Sequence, residues 1–81
     1  MDRIALVGIM VDDIDSIPEL NSILHDYSQY IKGRMGVPQA GGRINVISIV
    51  LKAPVDKINS MSGQIGRLRG VTLKTIYAKE S

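Results

Sequence analysis

Two glycines flank an arginine in this 81-residue chain, in the segment Gly33-Arg34-Met35-Gly36. The guanidinium of Arg34 can bind a carboxylate or phosphate through paired N–H donors, and glycine allows a ligand to approach the backbone closely. These four residues are therefore our candidate ligand-binding or interface site. The residues leave a second interpretation open, in which the glycines mark a bulge or tight packing and Arg34 is a solvated charge on an edge strand.

Four acidic residues near the end of the first predicted strand offer oxygen ligands of the kind that Mg²⁺ and Ca²⁺ prefer. They are Asp12, Asp13, Asp15 and Glu19. Their spacing is not that of an EF-hand, and the helix dipole favours acidic residues at a helix N-terminus without any metal. We therefore predict no metal site here.

The other candidate groups are a single histidine and a scattered set of basic residues. Helical spacing places His25 away from the apolar stripe, so it should face outward, and one imidazole binds a metal only with further ligands. Five basic residues could form a patch for an anionic ligand or partner: Lys32, Arg43, Arg67, Arg69 and Lys74. With a net charge of +2, a solvated face is the expected reading.

Composition excludes several classes of function. The chain has no cysteine, no set of serine, histidine and aspartate with plausible neighbours, and no phosphate-binding loop, so we predict neither an enzyme nor a bound cofactor. Three tyrosines without phenylalanine or tryptophan argue against direct nucleic-acid binding. No segment has the ~18 consecutive apolar residues of a membrane span, and the N-terminus lacks a secretory pattern. A cytoplasmic protein is expected.

The elements that must position these residues alternate as strand, helix, strand, strand, helix, strand. Arg3–Val11 and Ile44–Leu51 are apolar on both faces, which is typical of central strands. Tyr30–Val37 and Val71–Tyr77 alternate in polarity, which is typical of edge strands. In the first alternating segment Ile31, Gly33, Met35 and Val37 should share one face, with Lys32 and Arg34 on the other; a hairpin loop over residues 38–42 should follow.

Both helices show an apolar stripe at helical spacing. In the first, Ser16 and Glu19 have the spacing of a capping box, and the helix should end near Gln29. The second should start after Pro54, with Gly70 as its C-cap glycine. The stripes are Ile17, Leu20, Leu24 and Tyr27 in the first helix, and Ile58, Met61, Ile65 and Leu68 in the second.

These patterns predict one α+β domain over residues 1–81, a ferredoxin-like βαββαβ (ACT-like) sandwich. The antiparallel sheet should have the order 4-1-3-2, with the two apolar strands in the middle and two helices on one face. The other face would then be apolar and uncovered. We therefore predict a homodimer or a higher homo-oligomer.

Three segments resemble the small iron-only hydrogenase system regulators: residues 24–27, residues 31–38 with the run Gly-Arg-Met-Gly-Val-Pro, and residues 70–77. The likeness extends over residues 3–79. These proteins are similar in fold to ACT-like domains and to the ligand-binding half of nickel-responsive repressors, so the resemblance implies that fold, oligomerisation and a regulatory role. The turn after the first strand lacks the glycine of amino-acid-binding ACT domains, and the histidines and cysteine of a nickel site are missing.

Two functional hypotheses follow. The first is a regulatory or sensory module that acts as a homo-oligomer and binds a small-molecule effector at a subunit interface. The alternative is a structural module that docks on a protein partner and binds no small molecule. A small enzyme on a dimeric scaffold of this kind is the least favoured reading, because no catalytic constellation is present.

Overall fold

The computed structural model describes residues 1–79, which form a four-stranded sheet and two α-helices in the predicted order. Short 3₁₀ turns at Ile14–Ser16 and Ser28–Tyr30 precede and follow the first helix. The main elements are β1 (Asp2–Val11), α1 (Ile17–Asp26), β2 (Ile31–Gly41), β3 (Ile44–Pro54), α2 (Val55–Gly66) and β4 (Val71–Tyr77).

The sheet is antiparallel throughout and has the order β2-β3-β1-β4. This is the predicted order 4-1-3-2 read from the opposite edge, so the α+β ferredoxin-like fold is confirmed. The two strands that are apolar on both faces, β1 and β3, are the central ones, as predicted.

One face of the sheet packs on both helices and forms the core. Alternate residues of β1 and β3 point to this side, and the register places Val7 beside Ile49 and Ile9 beside Ile47. The helices contribute the buried residues of their apolar stripes, together with Ile23. The buried core consists of Ala5, Val7, Ile9, Val11, Leu20, Ile23, Leu24, Ile47, Ile49, Leu51, Ala53, Ile58, Met61 and Ile65.

The start of α1 differs from the predicted capping box. Ser16 has helical dihedral angles (φ −82°, ψ −12°) and caps nothing with its side chain. Its hydroxyl instead donates a hydrogen bond of 2.6 Å to the carbonyl oxygen of Arg69. The 3₁₀ turn explains the difference, because an N-cap residue needs extended backbone to reach forward into its helix. Asp13 caps that turn and accepts a 3.0 Å bond from the amide of Asp15.

Two helix ends also differ from prediction. α1 ends at Asp26 rather than near Gln29, because the chain tightens into the 3₁₀ turn that leads to β2. α2 ends at Gly66, so Gly70 is not its C-cap; it lies in the connection to β4, with φ +70°. Its carbonyl accepts a 2.7 Å bond from the amide of Asp12, and a Cβ on it would lie 2.7 Å from the Cβ of Asp13.

β2 departs most from the simple alternation. It continues to Gly41, so the hairpin turn is the pair Gly42-Arg43 rather than a loop over 38–42. Ile31 pairs with Leu51, but Gly33 pairs with Val50. This one-residue bulge moves the side chains of residues 33–37 to the opposite face, and the register shifts again between Val37 and Gly41. Ile31 therefore does not share a face with the residues at 33, 35 and 37, and this part of the prediction is wrong.

Candidate functional site

The bulge in β2 turns Arg34 toward the helix-covered face. Arg34 pairs with the buried residue Ile49, and its guanidinium donates a 2.8 Å hydrogen bond to Oδ1 of Asn21 on α1. Within residues 1–79, no carboxylate forms an ion pair with Arg34. The side chain is thus an exposed cation that a neutral amide holds in place.

A groove of about 280 Å³ lies beside this pair, between the start of α1 and the half of the β2–β3 hairpin that is nearer its turn. Most of its lining is apolar. Among the described residues, Arg34 is the one charged residue that lines it. The lining residues are Ile14, Ile17, Asn21, Arg34, Gly36, Val37, Pro38, Asn45, Val46 and Ile47. An apolar groove with a few fixed polar groups is typical of small-molecule sites.

A second depression lies on the other side of the Arg34–Asn21 pair, since both residues line both cavities. It also contains His25, Ser28 and Ile31. His25 is exposed, as its helical position predicts.

The two faces of β2 divide the predicted four-residue site. Arg34 and Gly36 pair with Ile49 and Ile47 and lie toward the helices, whereas Gly33 and Met35 lie on the opposite face. A Cβ on Gly33 would have no neighbour within 4 Å, and one on Gly36 would meet the carbonyl of Val46 at 4.0 Å. Packing within residues 1–79 therefore requires glycine at neither position. Whether the four residues bind a ligand stays a prediction.

The face of the sheet away from the helices, which we call the open face, carries apolar side chains that no part of residues 1–79 buries. Two apolar ridges cross it: one joins Leu6 to Val50 and Ile76, the other joins Met10 to Val46 and Val37. Between them runs a row in which Lys74, Gly8, Ser48 and Met35 are neighbours. Because Gly8 has no side chain, the middle of this row is a trough. The apolar residues of the open face are Ile4, Leu6, Met10, Met35, Val37, Ile44, Val46, Val50 and Ile76.

The acidic residues after β1 lie beside a polar cavity of about 470 Å³ whose lining includes Arg43 and Arg69. Asp12 accepts a 3.3 Å bond from Nε of Arg43, and Asp13 is engaged in the cap described above. Among residues 1–79, no three metal-ligating side chains come together. Because Lys74 lies on the open face, the five predicted basic residues do not form one patch.

Sequence reasoning missed Asn21 and Asn45, the two amides of the groove. An exposed polar residue on a helix gives no sign of which strand faces it, and Asn45 follows a glycine-rich turn in which asparagine is common.

Sequence reasoning also missed a contact between the C-terminal end of α1 and α2, for the same reason. Tyr27 Oη lies 2.8 Å from Ser60 Oγ and accepts a 2.7 Å bond from Gln64 Nε2.

Comparison with known proteins places this fold in a family. The family model "TM1266-like: Iron-only hydrogenase system regulator, putative" matches residues 3–75. The chain belongs to the TM1266-like family. The resemblance seen in the sequence is therefore confirmed.

One solved structure agrees with this assignment, and two others share the fold. Uncharacterized protein TM1266 from Thermotoga maritima is 32% identical, with a TM-score of 0.92, and the match covers 98% of this chain and 100% of that one. A formyltetrahydrofolate deformylase from Pseudomonas putida KT2440 (6% identity, TM-score 0.64) matches over 90% of this chain but 28% of its own. The divalent ion tolerance protein CutA1 from Ehrlichia chaffeensis has 15% identity and a TM-score of 0.52, over 100% of this chain and 86% of its own.

The last two proteins share only the fold with the TM1266-like chain. No curated protein matches it. Of the helices within residues 1–79, none has the length and apolar character needed to cross a membrane.

Proposed function

We propose that this TM1266-like protein is a regulatory module that acts as a homo-oligomer, assembled through the open face of its sheet. The observation that carries the proposal is the set of nine apolar side chains on that face. Burying apolar surface contributes about 25 cal/mol per Å², and a contiguous apolar patch of this kind usually marks an interaction site. The regulatory part of the proposal rests on the family; no reaction is assigned to the protein.

The size of the open face supports self-association. Four strands about 4.8 Å apart and up to about 30 Å long span roughly 600 Å² before side-chain relief is counted. A standard protein–protein interface buries about 800 Å² of accessible surface on each partner. Two copies packed face to face would therefore bury an area of the size that a stable dimer needs.

The ridges and the trough of the open face also suit packing against a second copy of the chain. In packed sheets, the side chains of the two inner faces interdigitate. The trough at Gly8 and Ser48 could accept an apolar ridge of the partner, such as the one containing Leu6 and Val50. A two-fold axis would make the same contact twice, as in most homodimers.

The experiment is a matched pair of substitutions, followed by sedimentation velocity or light scattering at micromolar concentration. Leu6 on the open face is 41% exposed, and Val55 at the start of α2 is 37% exposed. Both are replaced by glutamate. We expect Leu6→Glu to give a folded monomer, because each subunit would bury an unpaired carboxylate in the interface. Val55→Glu should keep the oligomer. A wild-type protein that stays monomeric would refute the proposal.

A second candidate function is a docking module for a different protein. Lys52 and Lys74 project from the open face beside its apolar residues, which favours a partner with acidic groups around an apolar centre. The same experiment separates the two functions. A monomeric wild-type protein that binds such a partner, and loses it in Leu6→Glu, would support docking.

A further inference from the structure

Each polar side chain that lines the groove between α1 and the β2–β3 hairpin can donate hydrogen bonds. Arg34 can only donate, so the atom of Asn21 that it contacts must be the carbonyl oxygen. The backbone N–H of Gln39 likewise donates a 2.6 Å bond to Oδ1 of Asn45. Both asparagines therefore spend their oxygens on partners within the chain and keep their NH₂ groups to donate. The side chains of the groove therefore offer N–H groups from three residues, and both side-chain oxygens already accept a hydrogen bond within the chain.

The charge of the groove agrees with this pattern. Arg34 is its one charged lining residue, and no carboxylate within residues 1–79 neutralises it. A single guanidinium matches a singly charged carboxylate through paired hydrogen bonds. A phosphate dianion would keep one uncompensated charge against an apolar wall, which is unfavourable.

The rest of the lining sets the shape of the ligand. Isoleucine, valine and proline residues of the 3₁₀ turn before α1, of α1 and of the β2–β3 hairpin line the rest of the groove. The volume of about 280 Å³ is just below the ~300–1,000 Å³ of typical ligand pockets, which suits a small molecule better than a nucleotide.

We propose that this groove binds a small apolar monocarboxylate, with the carboxylate on Arg34 and the amide groups of Asn21 and Asn45, and the apolar part against the isoleucines. The inference rests on the proposed regulatory function and supplies its effector. Val37 and Val46 line the groove and also belong to the open face. A ligand that orders this part of the hairpin can therefore change self-association, and self-association must change ligand affinity by the same factor.

The test uses hexanoate and phenylacetate as probes, with hexanamide as the uncharged control, in calorimetric titrations of the full chain. We expect both carboxylates to bind and hexanamide to bind at least tenfold more weakly, since hydrogen bonds between charged groups are the stronger ones. Arg34→Ala should weaken carboxylate binding at least tenfold, and Arg34→Lys by less. Arg67→Ala is the matched control, because Arg67 is an exposed arginine that lines neither the groove nor the second depression.

Side-chain amide signals in NMR spectra locate the site. We expect hexanoate to shift the NH₂ signals of Asn21 and Asn45 in the wild type but not in Arg34→Ala. If neither carboxylate binds with a dissociation constant below about 1 mM, the inference is overturned. Equal binding of hexanamide, an equal loss in Arg67→Ala, or shifts confined to the open face would do the same.

The oligomeric state of the same samples separates this inference from the proposed function. A wild-type oligomer that binds none of the probes would contradict the monocarboxylate site but support the homo-oligomeric module. A monomer that binds hexanoate through Arg34 would support the ligand site and contradict the homo-oligomer.

Discussion

The two faces of this sheet carry similar apolar residues but have different surroundings. On the helix side, Val7, Ile9 and Ile49 are completely buried by α1 and α2. On the open face, their chain neighbours Leu6, Met10 and Val50 keep 38–50% of their surface exposed. Residue type alone does not distinguish these two sets. Contacts within the chain hold the first face together, and the proposed second copy would bury the other.

The sharpest test of this comparison is a pair of neighbouring substitutions, Ile9→Ala and Met10→Ala. Ile9→Ala leaves a cavity under the helices and should lower the free energy of unfolding by about 2–5 kcal/mol at any protein concentration. Met10→Ala should change it by less than about 1 kcal/mol in dilute protein, where self-association contributes little. Chemical denaturation at two protein concentrations measures both. Equal losses in dilute protein would show that the two faces do not differ in this way.

Two glycines extend the comparison to the backbone. Gly70 has φ +70° and abuts Asp13, whereas a Cβ on Gly8 would meet open space within residues 1–79. Gly70→Ala should therefore lower the free energy of unfolding by about 1–3 kcal/mol, through strain and the clash with Asp13.

Gly8→Ala is the matched control for that substitution. It should leave the free energy of unfolding unchanged or raise it by up to about 1 kcal/mol, since alanine loses less entropy than glycine on folding. Filling the trough at Gly8 should, however, weaken self-association in sedimentation experiments. A stable Gly70→Ala variant would contradict the geometry of the α2–β4 connection.

Substitution of Ser16 tests whether its side chain stabilises the fold by capping α1 or by its hydrogen bond to Arg69, which is distant in sequence. Because its hydroxyl binds the carbonyl of Arg69, Ser16→Ala should lower the free energy of unfolding by about 1 kcal/mol or more. Ser22→Ala, on the exposed surface of α1, should have no such effect. Thermal denaturation measures both variants. If Glu19→Ala were as destabilising as Ser16→Ala, the capping box predicted from the sequence would be correct after all.

The smallest effect is expected at the exposed pair of Asp12 and Arg43, whose side chains are 57% and 84% accessible. Exposed ion pairs contribute about 0–1 kcal/mol. Asp12→Asn should therefore change the free energy of unfolding by less than about 0.5 kcal/mol, and added salt should reduce the change further by screening the pair. Asp13→Ala, which removes the cap of the 3₁₀ turn, should lower it by about 0.5–2 kcal/mol. Equal changes in the free energy of unfolding for Asp12→Asn and Asp13→Ala would show that the ion pair and the cap contribute equally.

The sequence by itself determined the order of the elements, the two central strands, the sheet order and the family. These features depend on local patterns: the apolar period of a strand or helix, the glycines and prolines at their ends, and runs such as residues 33–38. It also located Arg34 as a chemically promising side chain. Each of these signals lies within a few residues of the chain, where neighbouring positions constrain one another directly.

Only the tertiary structure decided which apolar set is buried and what Arg34 contacts. Both faces of β1 and β3 are apolar, so their pattern could not show which side the helices cover. A single extra residue at Lys32 turns the side chains of residues 33–37 to the opposite face, because successive side chains of a strand point to opposite sides. That reversal brings Arg34 to Asn21, and the turn before α1 brings Ser16 to Arg69. Such partners are distant in sequence, and packing of the whole chain selects them.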